Sequence, residues 1–293
     1  MTMRITDQMV YGSQARNLQS SLAALAAAQQ RATTGLKLQR PSDDPAGAVT
    51  SLQLRAQQAQ NTQYSRNITD GTAWTSAADA ALSQTSTLIR QARDAVVQAG
   101  NGSLNQSALD ALADQLSGIR DGLVAQANTT VGGRAVFAGT SDAGGAFDAS
   151  YNFTGTAGSS VTRRIGDGQS VRVDVDGSAV YGQGATSLFA QLDGVIADLR
   201  AGNPVGYALG QLDAAQQAVG SAQAAVGSAE GQLQAAKSAQ ATASTQLVQR
   251  RSDVENVDIA QAAIDLTNRN NVYQAALLVV TNTMQNNLTD FLR

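Results

Sequence analysis

Apolar side chains repeat at both ends of this 293-residue chain, and the repeat constrains the fold more than any other feature. Most of the steps are three or four residues, which places the side chains on one face of a helix that must pack against another helix. We call this set the seam. It comprises Ile5, Met9, Leu18, Leu22, Leu25 and Leu36 near the N-terminus, and Ile259, Leu266, Tyr273, Leu277, Val280, Met284 and Leu288 near the C-terminus. The seam predicts terminal helices that pair within one molecule and also pack between copies.

The composition removes most familiar kinds of active site. The chain has no cysteine and no histidine, so it lacks thiolate nucleophiles, disulfides, and the commonest general base and metal ligand. We therefore predict a structural protein with no cofactor and no metal, and not an enzyme. The formal net charge of -3 gives no electrostatic support for a nucleic-acid partner.

The sequence shows no segment suited to a membrane. The longest uninterrupted apolar runs, such as residues 275–280, are too short to cross a bilayer. The first residues lack a basic region followed by an apolar stretch and a cleavage site, so we expect no cleavable signal peptide.

A bend is predicted where the first helix ends. The sequence there reads Pro41, Ser42, Asp43, Asp44 and Pro45, and proline resists helical geometry at its own position and the one before. Asp44 can cap the next helix, and Pro45 suits the first helical position. Asp43 and Asp44 could instead form a metal site or an acid pair, but helix capping is favoured.

The remaining pattern predicts a mainly α fold with a small β insert. Long apolar-striped segments flank a glycine-rich stretch, within which residues 171–176 alternate apolar and polar as in a half-buried strand. Asp174 and Asp176 fall on the polar side of that strand, so a solvent-facing position is favoured over a calcium site. The predicted architecture is an elongated helical-bundle rod, built from paired N- and C-terminal long helices, with a β-rich domain inserted mid-chain.

Seven stretches of the chain resemble the flagellin superfamily. They are residues 3–9 (MRITDQM), 33–48 (TTGLKLQRPSDDPAGA), 98–103 (QAGNGS), 127–130 (ANTT), 133–140 (GRAVFAGT), 254–262 (VENVDIAQA) and 273–277 (YQAAL). Residues 43–47 read DDPAG, and the proline at Pro45 is typical of the superfamily's hook–filament junction proteins. Filament subunits usually carry a related DDAAG form.

The resemblance implies a domain division and a role. Residues 1–42 and 253–293 would form a coiled-coil inner domain, residues 43–132 and 187–252 a helical rod, and residues 133–186 a β-rich outer domain. The bend would contact neighbouring subunits. The chain would be an extracellular part of the bacterial flagellum that joins hook to filament by helical self-assembly, and a filament subunit is the alternative.

The resemblance also implies partners. They are further copies of the chain in a helical ring, a hook-associated protein on the hook side, flagellin on the filament side, and an export chaperone. Export would use the flagellar type III channel, in keeping with the expected lack of a cleaved signal.

Overall fold

The computed structural model describes residues 2–100, 104–156 and 158–291; for residues 2–8, 10, 11 and 283–291 it describes the backbone alone. Within these ranges the chain is mainly helical, with two small antiparallel sheets, as the sequence predicts. The helices are α1 (Thr2–Thr34), α2 (Pro45–Ala99), α3 (Gln106–Ala127), α4 (Gly177–Tyr181), α5 (Leu188–Arg200), α6 (Ala208–Glu255) and α7 (Ile259–Phe291). The strands are β1 (Thr130–Val131), β2 (Arg134–Ala135), β3 (Thr162–Gly166) and β4 (Gln169–Arg172).

The chain divides into two compact units. The terminal unit comprises the residues up to Ala59 and those from Ser244 onward, and the central unit comprises Gln60–Ala243. The two longest helices, α2 and α6, each contribute residues to both units.

The central unit has a continuous apolar core. The helices α2, α3, α5 and α6 contribute aliphatic side chains to it, because each carries an apolar stripe at helical spacing. Its largest fully buried side chains include Leu82, Leu116, Leu192, Leu233 and Phe189. Burial of this many large side chains gives the central unit a core of its own.

An aromatic cluster fills one part of that core. Tyr181 packs edge-on against Phe137 and stacks on Phe189, with ring centroids 5.6 Å apart in both pairs. The Tyr181 hydroxyl forms a buried 2.9 Å hydrogen bond with the hydroxyl of Thr85. This bond satisfies a polar group that would otherwise be costly to bury.

The glycine-rich insert contains less strand than the sequence predicts. β3 pairs with β4 in a short hairpin, but β4 ends at Arg172, and α4 follows at Gly177, where we predicted no helix. The solvent-facing interpretation of Asp174 is wrong, since its side chain is fully buried. Its Oδ1 accepts hydrogen bonds from the Val161 backbone N–H at 2.8 Å and from Arg172 Nε at 2.9 Å.

Asp176 is also placed differently from its predicted position on a strand. It is the N-cap of α4, where its Oδ1 accepts a hydrogen bond from the Ser178 backbone N–H at 2.9 Å. An aspartate caps a helix well because its carboxylate accepts from the free N–H groups of the first turn. The alternating pattern therefore continues past the end of β4 at Arg172 and into the N-cap of α4.

Candidate assembly surface

The bend between α1 and α2 is held by two neighbouring carboxylates. Asp44 Oδ1 accepts the Gly47 backbone N–H at 2.9 Å, and Pro45 is the first residue of α2, so the predicted capping is confirmed. Asp43 Oδ2 accepts the Arg40 backbone N–H at 2.9 Å and closes the turn before the cap. The remaining bend residues, Pro41 and Ser42, are exposed.

A short pair of antiparallel backbone segments, residues 35–37 and 255–257, joins the start of the bend to the end of α6. We call this pair the strap. Leu36 forms an isolated antiparallel bridge with Asn256. The Val257 N–H donates to the Gly35 carbonyl at 2.9 Å, and the Lys37 N–H donates to the Glu255 carbonyl at 2.8 Å. Gly35 has a φ of 69°, a left-handed conformation that glycine adopts without strain. The strap fixes where α1 ends relative to the start of α7.

The side chain of Glu255 connects the same place to α2. Its Oε1 accepts hydrogen bonds from Ser51 Oγ at 2.5 Å and Arg55 Nε at 3.0 Å, and Arg251 Nε lies 3.7 Å from Oε2. Burial raises the pKa of Glu255, but the hydrogen bonds from Ser51 and Arg55 and the two arginine charges outweigh it and leave the pKa below its ordinary value.

We assigned no role to Glu255 from the sequence. One signal was available, because Glu255 stands at the last residue of α6, where the helix dipole disfavours a negative charge. A carboxylate at that end implies a compensating partner, and the structure supplies Arg55 and Arg251.

The helices α1 and α7 pack against each other, and the seam residues are distributed between their interface and the surface. Leu25 is buried. The partly buried members are Leu18, Leu36, Leu266, Tyr273 and Val280. The exposed members are Met9, Leu22, Ile259 and Leu277, with Ile259 71% exposed. Ile5, Met284 and Leu288 lie outside the residues whose side chains are described.

The terminal unit exposes far more apolar side chain than the central unit does. Among the residues whose side chains are described, thirteen large apolar residues are exposed. Eleven belong to the terminal unit: Met9, Leu22, Val49, Leu52, Val248, Ile259, Ile264, Val272, Leu277, Leu278 and Val279. Scattered exposed apolar residues are normal, but such a concentration makes the terminal unit the candidate interaction surface.

Most of the C-terminal two thirds of α7 is also uncharged. No Asp, Glu, Lys or Arg occurs in residues 270–289, and Leu278 and Val279 are 65% and 59% exposed. A helix that is apolar around much of its circumference is suited to burial on more than one side. Within the described residues, no helix is both long enough and apolar enough to span a membrane.

The comparisons with known proteins agree with a structural role. A family model for the bacterial flagellin N-terminal helical region matches residues 5–142. The flagellar hook-associated protein 3 of Escherichia coli is 31% identical over 212 residues, which cover 68% of this chain and 67% of the relative. The chain belongs to the family of flagellar hook-associated protein 3.

Two further comparisons extend this family assignment. The flagellar hook-associated protein 3 of Salmonella typhimurium is 33% identical over 193 residues, covering 66% of this chain and 61% of that relative. A solved structure of a flagellar hook-associated protein from Vibrio parahaemolyticus superposes with a TM-score of 0.67 at 22% identity, covering 73% of this chain and all of that one. The Vibrio parahaemolyticus structure shows that the two chains share a fold. The predicted membership of the flagellin superfamily is confirmed.

Proposed function

We propose that this protein is a structural subunit of the bacterial flagellum that joins the hook to the filament by assembling with copies of itself. The observation that carries the proposal is the concentration of exposed apolar side chains on the terminal unit. The relatives indicate that the assembly is the bacterial flagellum, since they are flagellar hook-associated proteins.

The assembly surface combines the seam with the outer side of α7. Among the residues of α1 and α7 whose side chains the structure describes, only Leu25, Ala28 and Ala262 are buried apolar residues, which is little apolar area for a pair of long helices. Exposed residues such as Leu277 and Leu278 would be buried on assembly, and each fully buried leucine contributes about 1.5–3 kcal/mol. The free energy for joining subunits is therefore available on this surface.

The proposal includes the predicted domain plan. The terminal coiled-coil domain (residues 1–42 and 253–293) would form the inner part of the assembly. The helical rod (residues 43–132 and 187–252) would surround it, and the insert (residues 133–186) would face outward. The bend from Pro41 to Pro45 would contact a neighbouring subunit.

The proposed partners follow from the same position. They are copies of the chain in a helical ring, a hook-associated protein on the hook side, flagellin on the filament side, and an export chaperone during passage through the type III channel. No catalytic step and no cofactor are part of the proposal.

Deletion of the gene tests the role directly. Cells without the chain are expected to carry hooks without filaments and to release filament subunits into the medium, and a plasmid copy of the wild-type gene is expected to restore filaments. Normal filaments on the deletion cells would contradict the proposed function.

The alternative is a filament subunit, but the relatives named flagellar hook-associated protein 3 support it less than the junction role. A filament subunit is expected to extend seeded filaments to micrometre length and to dominate the protein of sheared filaments. A junction subunit is expected to stop growth at a short cap and to be a minor component.

A further inference from the structure

Each of the two longest helices contains a stretch without large apolar side chains. The stretches are residues 55–63 of α2 and residues 234–246 of α6, and they hold only alanine, arginine, lysine and uncharged polar residues. We call them the polar stretches. The chain divides into its two units after Ala59 and after Ala243, so both divisions fall inside the polar stretches. Because alanine buries little apolar area, these stretches contribute little hydrophobic stabilisation.

A set of side-chain amides joins α2, α6 and the β3–β4 hairpin at the edge of the central unit. Asn61 is buried, and its Nδ2 donates to Gln240 Oε1 at 2.5 Å and to the Gln240 backbone carbonyl at 3.2 Å. Gln240 Nε2 in turn donates to the Ile165 carbonyl at 2.9 Å. Asn67 Nδ2 donates to the Arg164 carbonyl at 2.8 Å. We call these three side chains and two carbonyls the clip.

The hairpin has a local irregularity that suits it to the clip. The strand register shifts at Ile165, which has no partner on β4 and is therefore a β-bulge residue. The carbonyl of Ile165 is bound instead by Gln240 on α6. On the other side of the hairpin's attachment, Arg163 Nε lies 2.6 Å from Asp70 Oδ2 on α2. The hairpin is thus bound to both long helices.

The apolar core of the central unit ends beside the clip. Its buried members on α2 begin at Ile68, and those on α6 end at Leu233. Past the clip, in the direction of the terminal unit, the next large apolar residues are Leu54 on α2 and Leu247 on α6. The clip therefore lies between the last core residues and the remainder of the polar stretches.

The terminal unit is the part of the chain that is expected to open first. Among the residues whose side chains are described, its buried apolar residues are Leu25, Ala28, Leu54 and Ala262, whereas the core of the central unit is continuous. Local opening occurs most readily where few apolar side chains are buried. An opening that begins in the terminal unit would meet little resistance along the polar stretches.

We propose that the clip is a stop for local unfolding. It keeps α2, α6 and the hairpin together when the terminal unit opens, so that the central unit stays folded. Partial separation at the clip is penalised, because the buried amide of Asn61 is left unsatisfied until water reaches it. The stop is a property of the single molecule and does not depend on the proposed role in the flagellum.

Hydrogen exchange of the isolated full-length chain tests the stop. In the wild type, backbone amides in residues 49–58 and 247–255 are expected to exchange at least about tenfold faster than those in residues 64–70 and 226–233. Gln240→Ala removes both side-chain bonds of Gln240. In that variant the amides in residues 64–70 and in β3 and β4 are expected to exchange at least about tenfold faster than in the wild type.

The matched control is Gln234→Ala, which changes an exposed glutamine of the same helix in the same way. It is expected to leave the exchange rates as in the wild type. The amides of α3 provide an internal control, since α3 packs against α5 in the same unit. Their exchange is expected to be unchanged in Gln240→Ala.

Gln240→Glu separates the two contacts of the Gln240 side chain. Glutamate keeps an oxygen that accepts from Asn61, but it has no N–H for the Ile165 carbonyl. The amides of β3 and β4 are therefore expected to exchange faster than in the wild type, while those in residues 64–70 change less than in Gln240→Ala. Wild-type exchange of the hairpin in Gln240→Glu would contradict the bond to Ile165 as part of the stop.

Three results would overturn the proposal. The first is equal protection of the terminal and central amides in the wild type, and the second is unchanged exchange of residues 64–70 in Gln240→Ala. The third is an equal acceleration of the α3 amides in Gln240→Ala, which would show that Gln240 contributes to the stability of the whole unit. None of these results bears on the junction role, which the deletion cells test separately.

Discussion

Arg55 and Glu255 are 200 residues apart in the sequence, and in the folded chain Arg55 Nη2 lies 2.9 Å from Glu255 Oε1. The pair ties the first part of α2 to the last residue of α6 within the terminal unit. The backbone carbonyl of Glu255 holds Lys37 at the same place. Glu255 thus holds together the end of α6, the first part of α2 and the segment that follows α1. We call this place the joint, and the terminal helices α1 and α7 extend from it.

Replacing Glu255→Gln is expected to loosen this joint. Glutamine keeps the size of the side chain but removes the charge that Arg55 and Ser51 contact, and hydrogen bonds to charged groups contribute about 1.5–3 kcal/mol each. The amide hydrogen of Lys37 is therefore expected to exchange with solvent at least about tenfold faster in the variant. Asp253→Asn, an exposed change two residues away, is the control, and equal exchange in both variants would contradict the role of Glu255.

The contribution of Glu255 is expected to depend on pH. Its pKa is lower in the folded chain than in the unfolded chain, so it stabilises the fold at every pH above the unfolded value. This stability is lost as the pH falls through the folded pKa. The difference in Lys37 exchange between the wild type and Glu255→Gln should therefore be full at pH 7 and disappear in strong acid. If the difference in Lys37 exchange grew on acidification, it would contradict a lowered pKa of Glu255 in the folded chain.

Replacing Asp174→Ala is expected to destabilise the central unit. The change removes the acceptor for the Val161 N–H and the carboxylate that Arg172 contacts, and it costs about 1–3 kcal/mol because the buried Val161 donor is left unsatisfied. Trp74 is the single tryptophan of the chain and is buried in the same unit, so denaturation can be followed by its fluorescence. Asp167→Ala, whose carboxylate is 92% exposed, should change stability by less than about 0.5 kcal/mol.

Replacing Leu277→Asp or Leu22→Asp is expected to block assembly while the isolated chain stays folded. Both side chains are exposed in the single molecule, so a carboxylate there remains hydrated until a second copy covers it. Circular dichroism should show unchanged helix content, and cells carrying the variant should lack filaments. Lost helix content, or normal filaments, would show that these residues are not part of the assembly surface.

Local chemistry made much of the chain predictable. Pro45 marks the start of α2, because proline suits the first helical position, whereas α1 ends at Thr34, directly before the left-handed Gly35. The capping role of Asp44 was predictable for the same reason. The helices α3 and α5 are predictable from their apolar spacing, because each buries one face.

Contacts between distant residues were not predictable in this way. Asp174 follows a polar–apolar alternation that indicates a solvated strand face, but its carboxylate is buried because Val161, thirteen residues earlier, donates to it. Glu255 has its partners about 200 residues away in α2. The spacing of the seam residues predicts that α1 pairs with α7. Which seam residues stay exposed depends on how each helix is rotated about its axis, and the spacing alone does not determine that rotation.

Accessibility of the outer side of α7 tests the central claim most directly. In a chain with Leu278→Cys as its single cysteine, the thiol is exposed in the isolated molecule and is expected to react with maleimide as fully as in the denatured chain. In flagella assembled from the same variant, we expect labelling to fall to a small fraction of that level. Equal labelling of the free and assembled chain would contradict the claim that this surface joins the subunits.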